Sequence, residues 1–177
     1  MPELRSKSSH SYNIFDASTQ NSAPISYAKA VSLAAPAVVN IYSESFEISP
    51  RYGSRTITRG RLGSGVIMDE RGYILTADHV ISNADQIMVV LQSGESFNAT
   101  IIGRDEITDL AVLQVDAQNL PIIPKNNDRQ TLVGDVALAI GNPHNLGQTI
   151  TQGIVSAVGR NGLSNTSYRE FLQTDAE

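Results

Sequence analysis

Short runs of β-branched and other apolar residues, separated by turns that contain glycine, are the feature that most restricts how this chain can fold. Typical runs are residues 38–42, 73–76 and 110–115, and each is too short for an average helix. Helical spacing occurs in one short stretch after Ser26, which must end near Ala35 because the residue before a proline favours extended backbone. The sequence therefore predicts an all-β sandwich or barrel with a short N-terminal helix.

The distribution of these runs divides the chain into segments. Residues 1–24 are rich in Ser, Asn and Gln and are predicted to form a mobile N-terminal arm. Residues 25–118 hold enough strands for a complete β-domain, although residues 43–60 within them predict a long loop or hairpin. A proline-containing linker follows at residues 119–130. Residues 131–177 then hold too few strands to close a sheet of their own.

Composition excludes several classes of function. Thirteen Lys and Arg against eighteen Asp and Glu give a net charge of −5, which argues against nucleic acid as a partner. The absence of cysteine excludes thiol nucleophiles, disulfides and Cys-ligated metals. The three histidines have no acidic residue three or four positions later, so no metal site and no cofactor are predicted. No apolar run approaches the roughly 18 residues that a membrane-spanning helix needs.

Two titratable residues, His79 and Asp109, are candidates for catalysis. His79 lies in a predicted helical turn over residues 77–81, and it is either a histidine satisfied by hydrogen bonds at the edge of the core or a general base. Asp109 directly precedes the apolar run 110–115, and it is either a strand-entry aspartate or the carboxylate that orients the base. A charge before such a strand costs desolvation unless it is paired, which favours a contact between the two side chains.

The residues alone do not reveal a nucleophile for such a base. Ser64 stands between Gly63 and Gly65, but Leu62 occupies the place where a G-x-S-x-G elbow needs glycine, and no α/β pattern surrounds it. We therefore interpret Ser64 as a small residue in a β-turn or bulge. Considered without any comparison, the sequence predicts a base and an acid but no group for them to activate.

Three blocks of sequence resemble the HtrA family of serine proteases. They are Leu-Gly-Ser-Gly-Val-Ile at 62–67, Gly-Tyr-Ile-Leu-Thr-Ala-Asp-His-Val at 72–80 and Thr-Asp-Leu-Ala-Val-Leu at 108–113. Further matching blocks are residues 134–136, 139–143, 148–157 and 172–176. The resemblance implies the chymotrypsin-like fold of two β-barrels with the active site in the cleft between them, the first barrel complete over 25–118 and the second truncated over 131–177.

The resemblance also assigns roles to residues of this chain. It makes His79 the general base and Asp109 the acid that orients and stabilises it. The family's nucleophilic serine lies in a Gly-Asn-Ser-Gly-Gly motif shortly after the block that matches 172–176, so the serine, the oxyanion hole, the last strands and a PDZ domain are expected beyond Glu177. A polypeptide of these 177 residues is therefore expected to lack peptidase activity. Arg160 matches the arginine of the family's regulatory loop.

Membership of this family would imply a periplasmic serine endoprotease of the envelope stress response that acts on protein or peptide substrates. The family forms homotrimers, to which residues 12–15 could contribute, and anchoring in the inner membrane would need an apolar segment before Met1. Two alternatives stay open at this point. One is a general periplasmic protease-chaperone of the same family, and the other is a non-catalytic β-barrel interaction module.

Overall fold

Six antiparallel strands form a closed barrel in the computed structural model of this chain. The structure describes residues 26–48, 55–126, 130–141, 147–160 and 171–176. In chain order, the elements are α1 (Ala28–Ala34), a 3₁₀ turn (Ala35–Ala37), β1 (Val38–Ile48), β2 (Arg55–Ile67), β3 (Tyr73–Ala77), α2 (Asp78–Ile81), β4 (Gln86–Val90), β5 (Ser96–Asp105), β6 (Leu110–Val115), β7 (Val136–Gly141), β8 (Thr149–Arg160) and β9 (Phe171–Thr174). No helix in this described part is long and apolar enough to cross a bilayer.

The barrel has the strand order β1-β2-β3-β6-β5-β4, and β4 pairs back with β1. Buried positions alternate with more exposed ones along β3 and β6, as expected for strands with one face towards a core. The core cluster includes the fully buried side chains of Ile41, Ile67, Ile74, Val89 and Leu113. An interior filled with branched apolar residues is typical of a small closed barrel. The all-β barrel and the short N-terminal helix that the sequence predicts are thus confirmed.

The hairpin between β1 and β2 is longer than its sequence suggests. Of the two possibilities for residues 43–60, the structure has the hairpin, with β1 continuing to Ile48 and β2 starting at Arg55. The interpretation of Ser64 as a turn or bulge residue was wrong, because Ser64 lies inside β2 opposite Asn40. The neighbouring Gly65 lacks a side chain because the core packs closely there: an added Cβ would lie 2.7 Å from Ile74 Cγ2.

A second sheet contains β7, β8 and β9, with β8 in the middle. The sequence did not predict β9, because its four residues are all exposed and show no alternation of buried and exposed positions. The side-chain amide of Gln148, just before β8, joins this sheet to the barrel. Its Nε2 donates to the carbonyl of Ala35 at 2.9 Å, and its Oε1 accepts from Gln92 Nε2 at 3.0 Å.

The pairing of β3 with β6 determines where the candidate site lies. Ala77, the last residue of β3, is the partner of Leu110, the first residue of β6. The residue that follows β3 and the residue that precedes β6 therefore lie side by side, although about 30 positions separate them. The ends of these two strands bring His79 and Asp109 to the same rim of the barrel.

Gly72 in the β2–β3 turn gives a stability prediction. Its φ is +81°, and an added Cβ would overlap the carbonyl oxygen of Val115. Gly94 has a similar φ of +91° but open space around it, which makes Gly94→Ala the matched control. We expect Gly94→Ala to lower the free energy of unfolding by about 1 kcal/mol, and Gly72→Ala by about 3 kcal/mol or more, because only the latter adds a steric clash. Urea denaturation followed by tyrosine fluorescence would measure both; equal losses would contradict the expected clash.

Candidate active site

A single helical turn, α2, presents His79 at the rim of the barrel. Its two apolar residues, Val80 and Ile81, are buried and anchor the turn to the core. Arg61 of β2 fixes the other side, because its Nη1 donates to the carbonyl of His79 at 2.8 Å and to that of Ser82 at 2.7 Å. Buried apolar contacts and bound carbonyls therefore hold a turn that is too short to be stable alone.

The Asp109 carboxylate holds both the backbone and the ring of His79. Its Oδ1 accepts the His79 backbone N–H at 2.9 Å, and its Oδ2 lies 2.7 Å from Nδ1 of the imidazole. The carbonyl of Asp109 also accepts the backbone N–H of Asp78 at 3.1 Å. Asp109 adopts a left-handed backbone with φ +56°, an uncommon conformation for a residue other than glycine and one that aspartate tolerates better than most.

The contact between the two side chains determines the tautomer of the imidazole. An ionised carboxylate can only accept hydrogen bonds, so Nδ1 of His79 carries the hydrogen that it donates to Asp109. The other ring nitrogen, Nε2, is left with a lone pair and can take up a proton. The His79 side chain is 72% exposed, which leaves this nitrogen accessible to a reacting group. The arrangement is that of a general base oriented by an acid.

The pKa of the Asp109 carboxyl is lowered from its ordinary value of 3.8, first by the His79 backbone N–H and then by the imidazole hydrogen bond. Asp109 is therefore ionised at neutral pH. Because its folded-state pKa lies below that of the unfolded chain, the stabilisation that it provides is present above pH 3.8 and is lost as the pH falls through the lowered pKa.

This cause of the shift leads to a second prediction. His79→Ala removes the imidazole but keeps the backbone N–H at position 79. We expect the pKa of Asp109 to rise in this variant yet to stay below 3.8, its ordinary value. Carboxyl ¹³C NMR titration of the full-length protein would measure it. Asp105, whose pKa is lowered by Thr108 and Ile107, is an internal control that should not change. A complete return of Asp109 to its ordinary value would contradict the prediction.

The buried charge in this region is Asp78 and not Asp109. The Asp109 side chain is 50% exposed, so its desolvation is smaller than the sequence argument assumed, although the contact with His79 that the argument favoured is present. The Asp78 side chain is 7% exposed and forms a two-pronged ion pair with Arg104 of β5. Sequence reasoning missed both residues of this pair, although a charged residue immediately before His79 was a visible signal.

An open cavity of about 690 Å³ adjoins His79 and Asp109. Arg61, Ser82 and Glu106 line it beside them, so the cavity contains charges of both signs. Another surface cavity of about 630 Å³ lies near Leu91 and Leu120 and contains neither His79 nor Asp109. The cavity next to the base is therefore the one in which the chemistry would take place.

Residues 174–176 belong to the block that matches the family just before its serine motif, and they lie against β8. Asp175 Oδ1 accepts the backbone N–H of Ile154 at 2.7 Å. The approach is possible because residue 153 is glycine; an added Cβ there would lie 2.8 Å from the Cα of Ala176 and would overlap the backbone nitrogen of that residue. Contacts with β8 therefore fix the position of residues 174–176.

Other residues singled out from the sequence lie partly or wholly outside the residues that the structure describes. Arg160 is the last residue of β8, but its side chain and residues 161–170 are outside the described residues. The N-terminal residues 1–25, with Tyr12 to Phe15, are outside them too, as are His10 and His144. Ser64 lies in β2, and its Oγ is near the position that a Cβ on Gly141 would take.

Comparison with known protein families gives a match to the trypsin-like peptidase domain over residues 63–177. Serine endoprotease DegS of Escherichia coli (strain K12) is 54% identical over 177 residues, covering 99% of this chain and 48% of the relative. DegS of Haemophilus influenzae is 54% identical over 153 residues, covering 86% of this chain and 45% of the relative. This chain thus spans about half the length of these curated relatives.

Solved structures give the same result. The serine endoprotease from Yersinia pestis superposes with a TM-score of 0.67 at 55% identity, over 78% of this chain and 47% of that one. The HtrA-type protease AlgW with a tripeptide superposes with a TM-score of 0.75 at 48% identity, over 85% of this chain and 46% of that one. These identities are high enough for the likeness to extend beyond the fold.

Proposed function

This chain belongs to the HtrA family of trypsin-like serine proteases, and we propose that it supplies the base and the acid of a periplasmic serine endoprotease. His79 is the general base, and Asp109 is the carboxylate that orients it. The observation that carries this proposal is the double contact of one carboxylate with both the backbone N–H and the Nδ1 of the same histidine. The named relatives, which are serine endoproteases, support the reaction type.

The proposed reaction transfers an acyl group of a peptide first to a serine and then to water. Nε2 of His79 takes the proton of the serine hydroxyl while the serine oxygen attacks the carbonyl carbon of the peptide bond. The same proton then goes to the leaving amine nitrogen as the peptide bond breaks. Asp109 stays ionised and stabilises the imidazolium formed between these two steps. Water, activated by Nε2 in the same way, finally releases the acyl group.

The nucleophile is expected in the family's Gly-Asn-Ser-Gly-Gly motif, which follows the residues that match 174–176. The sequence Gly-Asn-Ser-Gly-Gly does not occur among the 177 residues. We therefore propose that a polypeptide of these residues alone has no peptidase activity, because acyl transfer needs the serine and its oxyanion hole. The position of Asp175 against β8 supports the proposal that the motif is presented from this end of the second sheet.

The likeness to DegS supports a narrower role. We propose that the whole protein is anchored in the inner membrane, forms a homotrimer and cleaves a membrane-spanning anti-sigma factor in the envelope stress response. In this role, Arg160 at the end of β8 and the loop that follows it would report the state of a PDZ domain to the active site. The support is the 54% identity to DegS over 99% of this chain.

A more general protease of the periplasm is the second candidate. Periplasmic serine endoprotease DegP of E. coli (strain K12) is 47% identical over 117 residues, which is 65% of this chain. The two roles differ in their substrates, because a general protease would degrade many unfolded proteins, whereas a stress-sensing protease would cleave one membrane protein at one position. A non-catalytic interaction module, the third alternative, would cleave neither.

The test is to incubate the full-length protein with a fluorophosphonate probe, with unfolded casein and with a membrane-spanning anti-sigma factor. We expect covalent labelling of a serine and a single cut in the anti-sigma factor, and we expect the 177-residue polypeptide to be neither labelled nor active. Extensive degradation of casein would favour the general protease. A folded full-length protein without labelling would favour the non-catalytic module, and turnover by the 177-residue polypeptide that His79→Ala abolishes would contradict the proposal.

A further inference from the structure

The Asp78 carboxylate is a buried charge directly next to the proposed base. Its side chain is only 7% exposed, and a buried carboxylate is costly unless it is paired and hydrogen-bonded. Arg104 satisfies both of its oxygens: Nε donates to Oδ1 at 2.7 Å, and Nη2 donates to Oδ2 at 2.9 Å. The planar guanidinium therefore fixes the orientation of the carboxylate and not only its charge.

The ion pair joins α2, which carries His79, to the end of β5, from which the turn with Asp109 starts. Asp78 is the first residue of α2, and Arg104 is the penultimate residue of β5. Asp105, which follows Arg104, pairs with Leu110 in β6, so the turn that contains Asp109 begins and ends next to Arg104. One side-chain ion pair thus connects the turn that carries the base to the strand end that leads into the turn with the acid.

The pairing of β3 with β6 makes only part of this connection. The ladder between β3 and β6 ends at Ala77 and Leu110, and both His79 and Asp109 lie beyond it. The four residues of α2 are too few for a stable isolated helix. Beyond the ladder, the Asp78 backbone N–H donates to the Asp109 carbonyl at 3.1 Å, and side-chain contacts add to this one backbone bond in setting the distance between the two turns.

We propose that Arg104, through its ion pair with Asp78, is a positioning residue that holds His79 against Asp109. The kinetic test of this proposal rests on the proposed function, because it measures peptide cleavage. Arg104 touches neither the imidazole nor the Asp109 carboxylate in the hydrogen bonds of the described residues, so it would act through Asp78 alone. The nearby Glu106, 3.3 Å from Arg104 Nη2, is 79% exposed and adds a weaker contact.

Two variants of the full-length protein separate positioning from general stability. Arg104→Met leaves the Asp78 charge buried without its partner, so we expect both stability and activity to fall. The double variant Asp78→Asn/Arg104→Met has no unpaired charge, and we expect it to regain most of the stability lost in Arg104→Met, short of the cost of one buried amide without a partner. If the ion pair positions the base, the double variant should still show kcat per titrated active site lowered roughly tenfold or more, with KM within about twofold.

The matched control is the ion pair of Arg71 with Asp69. Arg71 Nη2 lies 2.6 Å from Asp69 Oδ2, and Nε donates to the same oxygen at 3.0 Å. The pair precedes β3, whereas α2 follows it, so the control lies at the opposite end of that strand. We expect Arg71→Met to leave kcat and KM unchanged.

A spectroscopic measurement tests the proposal without relying on proteolysis. In the full-length protein labelled with ¹⁵N-histidine, the Nδ1–H of His79 should give a downfield proton resonance because it donates to Asp109. We expect this resonance in the wild type and in Arg71→Met, and its loss or strong broadening in Asp78→Asn/Arg104→Met. A double variant that keeps the resonance and the wild-type kcat would overturn the proposal. A wild-type protein that shows the resonance but cleaves nothing would instead contradict the proposed function.

Discussion

His79→Ala is expected to lower kcat of the full-length protein by about 10⁴-fold or more. The variant removes the only group that the described residues place to take the proton from a nucleophile, whereas substrate binding does not need the imidazole. KM should therefore change little. The measurement is steady-state cleavage of a fluorogenic peptide, normalised to folded protein by circular dichroism.

His10→Ala is the control for this substitution, since His10 lies in the polar N-terminal segment and far along the sequence from His79 and Asp109. It should keep wild-type kcat. If His79→Ala retained more than roughly a tenth of the activity, an effect of about 1.4 kcal/mol or less, His79 could not be the general base.

Asp109→Asn should lower kcat by about 10³–10⁴-fold while leaving the fold intact. An asparagine carbonyl can still accept the His79 backbone N–H, so the position of α2 should be kept. The asparagine NH₂, however, would face Nδ1 as a donor and would favour the tautomer with the hydrogen on Nε2. The imidazole would then be held in place in a form that cannot take up the serine proton.

Asp85→Asn is the matched control for Asp109→Asn. Asp85 also accepts a backbone N–H through its carboxylate, from Phe46 at 2.7 Å, but it does not contact His79. It should leave kcat unchanged. Equal effects of the two substitutions would mean that Asp109 acts by supporting the fold and not by orienting the base.

The barrel and the rim that carries His79 and Asp109 were predictable because they follow from local patterns. Short apolar runs such as 73–76 and 110–115 indicated strands, and the pairing of these strands brings their two ends together. The contact of His79 with Asp109 depends on this pairing, and the resemblance to the family pointed to the same two residues.

Other features depend on neighbours that are distant in sequence and could not be predicted from local patterns. Asp78 and Asp109 both stand next to apolar segments, and only the packed structure shows that Asp78 is buried and Asp109 is half exposed. Nothing in the local sequence distinguishes Arg104 from the other arginines; its role becomes visible only in the contact between β5 and α2. The strand β9 is exposed along its whole length, so it has no burial pattern to recognise.

The two glycines around Ser64 show how one pattern can have two causes. In the sequence, Gly-Ser-Gly indicated a turn, because glycine often supplies unusual backbone angles. In the structure, the residues form part of a regular strand, and the missing side chains make room for Val80 against Gly63 and Ile74 against Gly65. Such close packing becomes visible only when the barrel is assembled.

The central claim is that His79 and Asp109 act as one catalytic unit. The most direct test is kcat/KM of the full-length double variant His79→Ala/Asp109→Asn beside both single variants, because residues that act as a unit have strongly non-additive effects. We predict that the double variant loses no more than about threefold beyond His79→Ala alone, since Asp109 has no catalytic role once the imidazole is gone. Losses that multiply, so that the double variant falls by the product of the two single effects, would contradict this account.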